Sequence, residues 1–245
     1  MSNKKKILLI TEGEKGEVNL FNKLFEEYDL SIEREIFCYN TNIYELYRRM
    51  FQGNENEIDD LDLINVLKQK EPDNQVLKEK YTDIILIFDY DPQDGLFSKE
   101  KIELMQNYFS ESTDNGKLYI NYPMLEAYKH FKNYPDEEYK YRKVLLNELK
   151  DRSYKQIVDN EAKLTGLSKF KKEIFNQIIK QNIQKENYLL GNDYEIDDLK
   201  TMYFSILPDE ILAIQNKALE QRQEVNVLST CLFFICDYKF DLILS

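Results

Sequence analysis

Thr82-Asp83-Ile84-Ile85-Leu86-Ile87-Phe88-Asp89, running on into Tyr90-Asp91-Pro92-Gln93-Asp94-Gly95, sets the fold class of this chain. Ile84 to Phe88 is an unbroken apolar run of β-branched and large side chains, bounded by acids and followed by Pro and Gly turn signals. A strand that is apolar on both faces belongs in a parallel sheet covered on both sides. Its C-terminal end, where open parallel sheets bind ligands, carries Asp89, Asp91 and Asp94.

Upstream, residues 5–11 form a second short apolar run between charges and read as another buried strand. Residues 16–27 place Val18, Phe21, Leu24 and Phe25 at spacings of three and four, one face of a helix. A strand is expected over 32–39, a helix capped by Thr41 or Asn42 over 43–52, a polar loop over 53–60 and a helix over 60–70. Downstream, 98–110 reads as helix and 117–122 as strand, after which Pro123 is placed to open a helix at its first turn. From 124 onward every segment reads as helix: 124–132, 137–150, 153–164, 168–186, 196–204, 208–222 and 226–242. The expectation is an α/β parallel-sheet domain over 1–130 and an all-helical extension over 131–245, packed on it without a flexible linker.

The chain has 245 residues, enough for a sizeable core, and its 18 Tyr and 14 Phe exclude a solvated coil. One His and three Cys (Cys38, Cys231, Cys236) exclude most zinc sites and argue for a reducing compartment. The most apolar stretch, Val225 to Ile235, is shorter than a membrane span and contains Asn226, Ser229 and Thr230. These features lead to the expectation of a soluble cytoplasmic protein, with no membrane contact. The net charge of -12 is unevenly spread: residues 140–185 hold twelve basic and five acidic residues. That stretch includes Lys140, Arg142, Lys143, Lys150, Arg152 and Lys155, with Tyr139, Tyr141 and Tyr154 among them. It reads either as solvated helix faces or as a surface that follows phosphates and stacks on bases.

What remains abundant is carboxylate, and it gathers at three strand ends: Thr11-Glu12-Gly13-Glu14-Lys15-Gly16-Glu17, Asp89-Tyr90-Asp91 and Asn121-Tyr122-Pro123-Met124-Leu125-Glu126. Carboxylates crowded at one sheet edge repel each other unless a cation sits among them. Oxygen-only donors select Mg²⁺, Mn²⁺ or Ca²⁺. Asp-x-Asp at the end of a strand sends both side chains to one face, which lets Asp89 and Asp91 share one or two ions.

Strand–Glu12-Gly13-x-x-x-Glu17–helix followed by strand–Asp89-x-Asp91 resembles the TOPRIM domain of topoisomerases, primases and OLD-type nucleases. The wording Glu12-Gly13-Glu14-Lys15-Gly16-Glu17 with Phe21, and the later Asn121-Tyr122-Pro123-x-x-Glu126, is similar to the RloB-like branch. The resemblance covers about residues 5–130 and implies a Rossmann-like TOPRIM fold. It also implies hydrolysis of phosphodiester bonds in DNA or RNA, tRNA included. Glu12, Asp89 and Asp91 would hold Mg²⁺ or Mn²⁺, Glu17 and Glu126 would complete the metal site, and Lys15 would stabilise phosphate charge. Related proteins act as toxic effectors of abortive-infection or PARIS-type anti-phage systems beside an ABC-type ATPase. An ATPase partner is therefore expected, and a homodimer is allowed. His130, four residues after Glu126, reads as a packed helix residue ahead of a catalytic one. Three other classes remain in view: a receiver-like phosphotransfer domain, separable by a small-molecule phosphodonor assay; a glycosyltransferase using Asp-x-Asp to bind a metal and nucleotide sugar, which usually needs a longer catalytic domain; and a catalytically silent partner-binding module.

Overall fold

The computed structural model describes residues 5–53, 61–151 and 153–244. The apolar run is a strand, as its composition requires. In chain order the elements are β1 (Lys6–Thr11), α1 (Gly16–Glu27), β2 (Glu33–Cys38), α2 (Ile43–Met50), α3 (Leu63–Lys70), β3 (Asp83–Asp89) and α4 (Lys99–Tyr108). A short strand β4 (Ser110–Glu111) and then β5 (Gly116–Asn121) follow. The five strands form one sheet in the order β2-β1-β3-β5-β4. β1 runs parallel to both β2 and β3, while β4 is antiparallel to β5. The protein is thus an α/β chain with a mostly parallel, Rossmann-like sheet.

The register places Thr11 opposite both Cys38 and Ile87, so β1, β2 and β3 end at one edge. The connection from β1 runs to one side, to β2, and that from β3 to the other, to β5. The C-terminal ends of β1 and β3 therefore flank the topological switch point, where open α/β sheets leave a crevice.

The chain divides into two compact units. The first comprises residues 1–22, 30–88 and 96–119; the second, residues 23–29, 89–95 and 120–245. In the first unit, Leu8, Leu9 and Ile10 of β1 and Leu86, Ile87 and Phe88 of β3 are fully buried. Helix α2 is capped by the Asn42 side chain and packs its aromatic face on its neighbours, with Tyr44 against Phe97 at 5.7 Å and Phe51 against Tyr108 at 5.1 Å.

The second unit holds β6 (Lys143–Leu145), α5 (Leu146–Asp151), α6 (Tyr154–Glu161), α7 (Lys172–Leu189), α8 (Leu199–Ser205) and α9 (Pro208–Arg222). It ends with β7 (Glu224–Asn226) and α10 (Phe234–Lys239). This unit is not all helical: β6 and β7 pair antiparallel, with Val144 opposite Val225. The helix expected over 137–150 is a 3-10 turn at Tyr139–Tyr141, then β6, then α5. That expected over 226–242 is two 3-10 turns flanking α10. After Pro123 the chain forms a 3-10 turn at Leu125–Lys129 instead of an α-helix. The apolar C-terminal stretch is core, with Val225, Val227, Leu228, Cys231 and Ile235 all fully buried. No helix among the described residues is long and apolar enough to cross a membrane.

Candidate metal centre

Backbone hydrogen bonding continues one residue beyond β1: the Glu12 N–H donates to the Ile87 carbonyl at 3.2 Å. That bond sets Glu12 beside the last turn of the β3 ladder, next to Asp89. A carboxylate oxygen from each of Glu12, Asp89 and Asp91 lies within 4.8 Å of the others, and these three form the metal-competent group among the described residues. Asp89 is buried, at 6% exposure; Glu12 and Asp91 are half-buried. Sequence reasoning thus named three side chains that the fold brings together.

The route by which Asp91 joins differs from the expected one. β3 ends at Asp89, and Asp91 has φ 41, in the left-handed region, so strand alternation does not carry its side chain. A turn does: the Asp94 N–H donates to the Asp91 carbonyl at 3.0 Å, and the Asp91 N–H donates to the Pro123 carbonyl at 3.2 Å. Aspartate is among the residues that tolerate this conformation best.

Two amides hold the carboxylates. Asn121, fully buried at the end of β5, donates from Nδ2 to Asp89 Oδ1 at 3.3 Å. Its Oδ1 accepts the Cys231 N–H at 3.3 Å, which fixes which end of the amide faces Asp89. Gln93 donates from Nε2 to Asp91 Oδ1 at 2.8 Å, and its buried Oε1 has no partner. Both amides lie inside the strand-end motifs of the sequence, Asn121 ahead of Pro123 and Gln93 between Asp91 and Asp94. Nothing local distinguishes an orienting amide from a loop amide until its partner is known.

Burial raises the Asp91 carboxyl to about 6; the Gln93 hydrogen bond opposes this, and Asp94 and Glu126 add to it by like-charge repulsion. Burial is the chief cause, and the like-charge contribution comes from Asp94 and Glu126. With an all-oxygen donor set, these residues fit Mg²⁺ or Mn²⁺.

Glu17 and Glu126 lie outside the group of three. Glu17 is buried in the first turn of α1, with its carboxylate folded against Gly13: a Cβ there would sit 3.2 Å from Glu17 Oε2. Glu126 is half-buried in the 3-10 turn and is felt electrostatically by Asp91. Lys15 is exposed on the loop between β1 and α1. His130 is buried, with Nδ1 2.9 Å from the Tyr154 hydroxyl and Nε2 3.3 Å from Glu161. Burial pulls it down to about 4, so it stays neutral, packed inside its unit.

The basic stretch is less open than its composition suggests. Arg142 is 8% exposed and bound to buried Asp136 at 2.8 Å. Lys143 pairs with Glu224 at 2.7 Å. Lys140 lies among the rings of Tyr141, Tyr188 and Tyr194, at 5.0, 5.8 and 5.2 Å from their centroids. Lys150 and Lys155 are exposed, and Arg152 lies outside the described residues. Tyr139 and Tyr154 are buried and cannot stack on bases, whereas Tyr141 is exposed.

The fold and site together define an α/β chain with an acidic, cation-competent cluster at the switch point of a mostly parallel sheet. Compared with protein-family models, curated proteins and solved structures, the chain matches none.

Proposed function

We propose that this chain is a metal-dependent phosphodiester hydrolase acting on nucleic acid, with Glu12, Asp89 and Asp91 as the ligands of Mg²⁺ or Mn²⁺. The observation that carries the reading is the approach of their three carboxylate oxygens to within 4.8 Å at the ends of two adjacent parallel strands. Bound there, the cation supplies positive charge to the phosphate and lowers the pKa of a coordinated water. The chain's own part is positional. Asn121 orients Asp89, Gln93 orients Asp91, and burial of Asp89 keeps bulk water from competing for its oxygens. Lys15, exposed three residues after Glu12, adds a charge that attracts the phosphate. The TOPRIM and RloB-like resemblance supports the same chemistry from the sequence. The wider role of a toxic anti-phage effector under an ABC-type ATPase rests on that resemblance alone.

The test is incubation of the purified protein with DNA and with RNA in Mg²⁺, Mn²⁺ or chelator, beside Glu12→Ala and Asp89→Ala. Cleavage by wild type in metal alone, and by neither variant, is expected. Cleavage retained by both variants sinks the assignment.

A further inference from the structure

Gln93 puts only one end of its amide to use. It lies inside the turn that follows β3, where Asp91 has φ 41 and the Asp94 N–H closes onto the Asp91 carbonyl at 3.0 Å. From that position Nε2 donates to Asp91 Oδ1 at 2.8 Å. Chemistry fixes the direction of this bond: an ionised carboxylate only accepts, so the amide gives Asp91 its NH₂ and turns its carbonyl away. The carbonyl oxygen, Oε1, is buried and has no hydrogen-bond partner among the described residues.

A buried amide oxygen with its hydrogen bond unmade is costly, and folded chains leave few of them. The donors on either side of Gln93 are spent. The Asp91 N–H is committed to the Pro123 carbonyl at 3.2 Å, Pro92 has no N–H, and the Asp94 N–H is committed to Asp91. The flanking side chains, Asp91 and Asp94, only accept when ionised. A water is the donor that fits, and the carboxylate bonded to Gln93 says where it is held. Oε1 lies about 2.3 Å from Nε2 by covalent geometry, so it falls within about 5 Å of Asp91 Oδ1, a gap that one water spans. Mg²⁺ bound through a few carboxylates keeps several of its waters, and the ion makes them acidic donors.

We propose that Gln93 is a positioning residue for a cation-bound water: Oε1 accepts a hydrogen bond from a water of the coordination shell, while Nε2 braces Asp91. This deepens the hydrolase reading and rests on its metal site. The two ends of one amide thus tie a metal ligand to the water beside it, so that neither turns alone. Removing the acceptor leaves the three carboxylates in place and frees the water to rotate. The loss then falls on turnover at saturating substrate, with KM unchanged.

The test is a crystal structure of the wild-type protein with Mn²⁺, joined to cleavage kinetics of Gln93→Met and Gln93→Glu at saturating Mn²⁺. A water bound to the ion and about 2.8 Å from Gln93 Oε1 is expected. Gln93→Met, which has no amide, should lower kcat roughly tenfold or more at unchanged KM. Gln93→Glu keeps an acceptor and loses the brace on Asp91, so it should recover most of that loss. Mn²⁺ at Asp89 and Asp91 with no water on Oε1, Oε1 bound to the ion itself, wild-type kcat in Gln93→Met, or equal impairment of the two variants overturns the proposal. Failure of the underlying reading is seen separately. Mn²⁺ absent from the three carboxylates sinks the metal site and this proposal together, whereas no cleavage by wild type sinks the hydrolase reading alone and the crystal decides the water.

Discussion

Replacing Asp91 by Asn should make the cation-free protein more stable at neutral pH, an unusual outcome for a residue at a functional site. The Asp91 carboxyl titrates at about 6 in the folded chain, against 3.8 for an unperturbed aspartate. The folded state thus holds this proton more tightly than the unfolded chain does. The resulting stability is fully present below about pH 4 and is lost as pH rises through about 6. Integrated to neutral pH, the cost to the cation-free protein is about 3 kcal/mol, or roughly 6–12 °C in melting temperature for a chain of this size. Asparagine keeps the left-handed backbone and the acceptor for Gln93 but cannot ionise. The assay is thermal melting in chelator across this pH range, read as the difference between wild type and Asp91→Asn. Other titrating groups with raised values, such as Glu186 at about 8 from burial, are common to both proteins and cancel. The two should coincide near pH 4 and diverge in favour of the variant above about 6. Saturating Mn²⁺ should then stabilise wild type and leave the variant behind. Parallel pH profiles in chelator, or equal stabilisation of both by Mn²⁺, would refute the reasoning.

Three further outcomes follow from the same contacts. Asn121→Ala removes the amide that Asp89 and the Cys231 N–H share, so it should cost about 2–3 kcal/mol in denaturant titrations and weaken Mn²⁺ binding by about 10–100-fold. Gly116 has φ +120, and a Cβ there would lie 2.7 Å from Leu86 Cδ1, so Gly116→Ala should lower the denaturation midpoint by the equivalent of about 2–4 kcal/mol. Arg142→Met leaves Asp136 buried without its cation and should destabilise by about 3–5 kcal/mol, with no change in Mn²⁺ affinity.

The sheet was legible in the sequence because its strands are apolar runs that only burial can use. β1, β3 and β5 fall within a residue or so of their expected limits, and α1 and α9 match theirs. Elements held by distant partners were not legible. β6 and β7 have three residues each and exist by pairing Val144 with Val225 across some eighty residues of chain, so each alone resembles the edge of a helix. Helix α7 buries Gln181, Asn182, Gln184, Lys185 and Glu186, which a hydrophobic pattern assigns to solvent. At the site, Glu12 and Asp89 could be named because strand ends are visible. Asn121 and Gln93 could not be assigned their tasks, because an amide's role lies in what it touches.

The central claim is that Glu12, Asp89 and Asp91 hold one site for a hard cation. Calorimetric titration of Mn²⁺ into wild type and into Asp89→Asn, an isosteric change at a buried position, tests it most directly. Saturable binding by wild type that disappears in Asp89→Asn, with the melting temperature in chelator no lower than that of wild type, is the predicted result. Indistinguishable isotherms for the two proteins would contradict it.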